Sequence, residues 1–122
     1  MHENPRCFNP EALLALVGND YTQLKEILDL FIDTFDDTPA RVRAAQEQGD
    51  TAETERLLHQ LKGTVASIWP GELYEQTSLL EMQANSGLAL SETLLEQWHV
   101  CFDSSFQAIH TFMAIHCNQP RS

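Results

Sequence analysis

Cysteine is scarce in this 122-residue chain, and the three present, Cys7, Cys101 and Cys117, form no CxxC pair. An odd count without that spacing argues against a disulfide framework or a zinc knuckle and suits a reducing compartment. Basic residues are scarce as well: 7 Lys and Arg stand against 18 Asp and Glu, for a net charge of −11. So acidic a chain is repelled by phosphate backbones and anionic lipid, so neither nucleic acid nor a membrane surface is an expected partner. No window approaches the roughly 18 apolar residues that a bilayer span requires. The opening MHENPRCF lacks the charged-then-apolar pattern of a secretory signal, which makes the cytoplasm the expected location. Missing too are a GxxxxGK[ST] loop, a kinase glycine-rich loop and a carboxylate cluster suited to magnesium, so neither ATP nor a resident metal or other cofactor is expected. There are no runs of alternating β-branched residues, no internal repeats and no low-complexity tracts, which leaves little basis for a sheet or a repeat architecture.

What the sequence does hold is the punctuation of helices. Asn9-Pro10 reads as an N-cap followed by proline in the first turn, with Gly18 as the stop. Asp20 with Gln23 and Asp50 with Glu53 resemble capping boxes, and Ser91 is a third N-cap. Gly49 and Gly87 stand where helices end. Between these signals apolar residues recur at the helical period, as in Leu57, Leu58, Leu61, Val65 and Ile68. The pattern predicts a short helix near 10–17 and long ones near 20–48, 51–68, 71–86 and 91–116. Pro39 should kink or break the first long helix, because proline lacks the N–H and clashes with the preceding turn. Pro70 would open the 71–86 helix in its first turn. Four long amphipathic helices with short connections imply an all-α, antiparallel up-and-down four-helix bundle, with a short extra N-terminal helix. The whole chain, residues 1–122, reads as a single domain, and a monomer is expected because one bundle buries its own stripes.

The stretch RLLHQLKG at 56–63 is unusual for such a helix. With His59 placed at zero on a helical wheel, the apolar stripe falls between about 160° and 260°. The histidine therefore points away from the core. Ala52, Gly63 and Ala66 fall within about 40° of it, and Arg56 and Lys62 flank it at about 60° on either side. A strip of small residues lets another protein's backbone approach. Two cations would stabilise negative charge on or beside the imidazole, with phosphate the obvious candidate. Gly63 would then trade helix propensity, worth roughly 1 kcal/mol, for access.

HQLKG at 59–63 resembles the H-x-L-K-G signature of histidine-containing phosphotransfer (HPt) domains of two-component phosphorelays. The likeness extends from FNPEALLALVGND through the first long helix, the GD turn and the helix after the histidine. It implies a four-helix bundle that carries a phosphoryl group on Nε2 of His59, taken from the aspartate of one receiver domain and passed to that of another. Lys62 would sit near the phosphoryl oxygens, and Gly63 would leave room for the receiver. Glu81, 22 residues after the histidine, would hydrogen-bond Nδ1 and orient the ring. The expected partners are response-regulator receiver domains and a hybrid sensor kinase, of which this chain would be a free-standing partner or the C-terminal module. Mg²⁺ is expected only in the receiver. The chain departs from the family pattern at Ile68-Trp69-Pro70-Gly71, where many members read roughly L-G-A. Trp69 would cap the core or add to a docking surface, and Leu13 and Leu16 carry the same two alternatives.

Two other readings compete. One is a metal or catalytic bundle using His2, His99, His110 and His116, but none of these pair at i, i+4 and no Glu-x-x-His pair projects from two helices. The other is a helical interaction module that docks signalling partners without being phosphorylated.

Overall fold

Pro39 decides the shape of the first leg. It offers no N–H, and its ring would strike the carbonyl four residues earlier, that of Phe35. The computed structural model, which describes residues 10–68 and 71–116, ends a helix at that residue. Helix α1 spans Pro10–Leu16, α2 Tyr21–Phe35 and α3 Thr38–Glu47, with Pro39 in the first turn of α3. The choice between a kink and a break is therefore settled as a break at Asp36-Asp37. The remaining helices are α4 Thr51–Ile68, α5 Glu72–Asn85 and α6 Glu92–His116. No helix among the described residues is long and apolar enough to cross a membrane.

The caps hold only half of each expected box. Asp20 Oδ1 accepts from the N–H groups of Thr22 and Gln23 at 2.9 and 3.3 Å, while its own N–H goes back to the Val17 carbonyl at 3.2 Å. Asp50 Oδ1 accepts from Glu53 N–H at 3.0 Å, and its own N–H goes to Ala45 at 2.9 Å. In both cases the closing turn of the preceding helix claims the donor that a reciprocal Gln or Glu would have needed. Gly49 allows that closing turn, with φ +70° in the left-handed region open to glycine. Ser91 caps α6 through the Leu94 N–H at 3.3 Å. The first residue of α5 is Glu72, with Gly71 at the N-cap. Asn9, Trp69 and Pro70, like His2, Cys7 and Cys117, lie outside the described residues.

The chain is an all-α antiparallel bundle. α4 packs on α3 and α5, α5 on α6, and α2 closes the ring against α6, with α1 laid on α2. Buried Leu24, Leu28 and Phe31 from α2 meet Leu58, Leu61 and Val65 from α4 and Leu73 and Leu80 from α5 in one core. A chain of rings from Trp98 through Phe102 and Phe106 on α6 reaches Phe31 on α2, with centroid separations of 5.7, 4.3 and 5.3 Å. Burial of such large side chains stabilises by about 1.5–3 kcal/mol each. Thr77 is polar yet buried because its Oγ1 accepts from the Trp98 indole N–H at 2.9 Å. Gln46 ties three elements, accepting from Leu90 N–H at 2.9 Å and donating to Thr54 Oγ1 at 3.2 Å.

Candidate phosphoacceptor site

Helix α4 places the candidate residues by its own amphipathicity. Leu57, Leu58, Leu61 and Val65 are buried, and a helix that commits those positions to the core turns residue 59 outward. The His59 side chain is 69% exposed. It is anchored on one side only: Nδ1 lies 2.7 Å from Oε2 of Glu81 on α5. An ionised carboxylate only accepts, so Nδ1 carries the proton of a neutral ring and donates it. The Nε2 lone pair is then left as the nucleophile on the exposed part of the ring.

Glu81 serves two partners. Its other oxygen, Oε1, is 2.6 Å from Nζ of Lys62. The carboxylate is only 12% exposed and the lysine 27%. Burial pushes the Glu81 carboxyl up, but the hydrogen bonds from Lys62 and His59 outweigh it and hold the group below the usual glutamate range. The same hydrogen bond raises the Lys62 ammonium above the ordinary lysine value. Both groups are thus kept charged around neutral pH, and the lysine stands one turn from the imidazole on the same helix.

Arg56 is placed differently from the wheel's picture of a cation waiting for phosphate. Its Nε and Nη2 are clamped by the two oxygens of Glu53 at 2.8 and 2.6 Å. The signal was available, because Glu53 precedes Arg56 by three positions and such residues are neighbours on a helix surface. The sharing of Glu81 by His59 and Lys62 had no comparable signal, since it depends on the register between α4 and α5. Ala52, Arg56, His59 and Glu81 border an open hollow of about 440 Å³, together with Glu55 and Gln60. Gln60 was not singled out from the sequence.

Ala52, Gly63 and Ala66 are all exposed. A Cβ added at Gly63 would meet nothing within 4 Å. Nothing inside this fold requires a glycine there, although glycine costs a helix interior about 1 kcal/mol. Leu13 and Leu16 separate: Leu13 is buried in the core at 3% exposure, whereas Leu16 is 69% exposed. Of the other histidines, His99 faces Asp103 at 3.6 Å and His110 is exposed. Among the described residues no three His, Cys, Asp or Glu side chains converge as metal ligands.

No curated protein and no solved structure matches the chain significantly. A family model does: that of the Hpt domain, over residues 26–111, a stretch that contains His59, Lys62, Gly63 and Glu81 and runs from α2 into α6. Hpt domains are histidine phosphocarriers of two-component phosphorelays, rather than catalysts, and they interact with receiver domains and kinases. Matched over most of its length and folded as the helical bundle of that family, the chain belongs to the Hpt domain family.

Proposed function

We propose that this domain accepts a phosphoryl group on Nε2 of His59 from the phosphoaspartate of one receiver domain and passes it to the aspartate of another. The observation that carries this reading is an exposed imidazole whose Nδ1 is held by a carboxylate at 2.7 Å in the middle of a matched Hpt domain. Phosphoryl transfer asks mainly for in-line positioning and charge stabilisation. The Nε2 lone pair attacks phosphorus, the bond from phosphorus to the aspartyl oxygen breaks, and the receiver's carboxylate is regenerated. Glu81 keeps the proton on Nδ1 and stabilises the positive charge that the ring gains. Lys62, adjacent on the same carboxylate, is the cation placed to swing toward the phosphoryl oxygens. Gly63, with Ala52 and Ala66, gives the receiver's backbone a close approach to the ring. Arg56, already paired with Glu53, contributes to the rim of the docking face. The acidic pocket and Mg²⁺ belong to the receiver, and a hybrid sensor kinase is the proposed upstream source of phosphate.

Incubation with a phosphorylated receiver tests the reading. The wild-type chain should gain label while the receiver loses it, and His59→Ala should gain none. Label on the alanine variant would overturn the site. Receiver binding without any transfer to the wild type would favour a docking module that carries no phosphate.

A further inference from the structure

A second surface lies away from His59. An open groove of about 840 Å³ runs between α5 and α6. It is bordered by Glu72 and Gln76 of α5 and by Glu92, Glu96, Val100 and Cys101 of α6. From Glu92 to Ser104, its two ends on α6, a helix rises about 18 Å, the length of three turns of a docked helix. On α5, Glu72 and Gln76 lie about 180° and 140° around the axis from Glu81, so the groove opens on a different face from the phosphoacceptor.

The groove combines apolar contact with one sign of charge. Val100 is 58% exposed, and its neighbour Cys101, also on the lining, is buried. Three carboxylates border it and no basic residue does. Gln76 donates one N–H of its Nε2 to Glu72 at 3.0 Å, while its buried Oε1 accepts no hydrogen bond among the described residues. The lining, completed by the hydroxyls and amide of Thr93, Gln97 and Ser104, lacks cations. A second copy of this chain cannot supply them well, because two bodies of net charge −11 repel.

We infer that the α5–α6 groove docks an amphipathic, Lys- and Arg-rich helix of a partner protein, apolar side against Val100 and cations against Glu72, Glu92 and Glu96. Such helix-in-groove recognition draws its affinity from the apolar anchors and its selectivity and encounter rate from complementary charge. Because this face is separate from His59, the carrier can stay tethered to one partner while a receiver docks at the imidazole.

The probe is a synthetic helical peptide of about 14 residues with leucine on one face and lysine flanking it, titrated into the isotope-labelled domain and read by amide chemical shifts. Saturable shifts are expected at Gln76, Val100 and Cys101. The double reversal Glu92→Lys/Glu96→Lys should weaken binding by at least about tenfold, as loss of complementary charge does. The control reversal Glu26→Lys/Asp33→Lys, at exposed positions on α2, should leave affinity within about twofold. Unchanged helical circular dichroism is required of both variants, and Val100→Ser, a milder change, should weaken binding as well. Equal losses from the two reversals, shifts centred on His59, or no saturation would each overturn the proposal.

Discussion

Glu81 is a carboxylate that burial disfavours and two hydrogen bonds retain. Its folded pKa lies below the unfolded value, so its contribution to stability is complete above about pH 4.3 and is lost as pH falls through the lower folded value. Lys62 has the opposite sign: its raised pKa stabilises below about pH 10.4 and ceases to do so as pH rises through the higher folded value. Glu81→Gln should therefore lose more stability near neutral pH than in acid, and urea midpoints from about pH 6 down to about pH 3 should converge on those of the wild type. Gly63→Gln separates the fold from the function at another single position. With empty space around its Cβ, the variant should gain up to about 1 kcal/mol of stability in thermal unfolding, and receiver affinity should fall sharply. Much of this scale was legible from the sequence. The wheel turns His59 outward because four leucine and valine positions fix the opposite face. Neither the Lys62–Glu81 ion pair nor the burial of Glu81 could be read, since both arise from how α4 and α5 meet. The Arg56–Glu53 clamp, by contrast, follows from the i, i+3 spacing of its partners.

Elements follow from local rules that the sequence states openly. The break at Asp36-Asp37 is set by Pro39 and the carbonyl of Phe35, and the turn at Gly49 by its positive φ. Gly49→Ala should cost about 1 kcal/mol in chemical denaturation, with the spectrum of the folded state unchanged. Periodicity and cap signals together place the ends of α4, α5 and α6 to within a residue or two, and the expected 20–48 helix divides into α2 and α3 at the break that Pro39 allowed for. Those signals missed the halved capping boxes, because a local pattern does not reveal that the preceding helix will take the same N–H. Thr77 falls on the apolar stripe of α5 for a reason that only packing supplies, the Trp98 indole 2.9 Å away. Thr77→Val keeps the shape but strands a buried donor, which should destabilise by about 1–3 kcal/mol. The matching loss in Trp98→Phe, and its non-additivity in the double variant, would assign the effect to that hydrogen bond.

At the scale of the whole molecule, an acidic helical bundle that displays His59 on its surface, with its Nδ1 held by Glu81, suits the division of labour in a phosphorelay. The rigid core fixes α4 and α5 relative to one another, and that relation alone puts a carboxylate at Nδ1 and a lysine beside it. On the proposed function the partner supplies what else the reaction needs, and the sequence carries no nucleotide loop. Fold class was legible at this scale because the stripes, caps and connection lengths all agree, whereas the α5–α6 groove, formed by two helices leaning together, left no mark in the sequence. The most direct test of the central claim is to locate the phosphate after transfer from a phosphorylated receiver. Phosphorus NMR, with peptide mapping, should find one acid-labile, base-stable phosphoramidate on Nε2 of His59. Phosphate on His99, His110 or any other residue, or a receiver that keeps its phosphate in the presence of this domain, would contradict it.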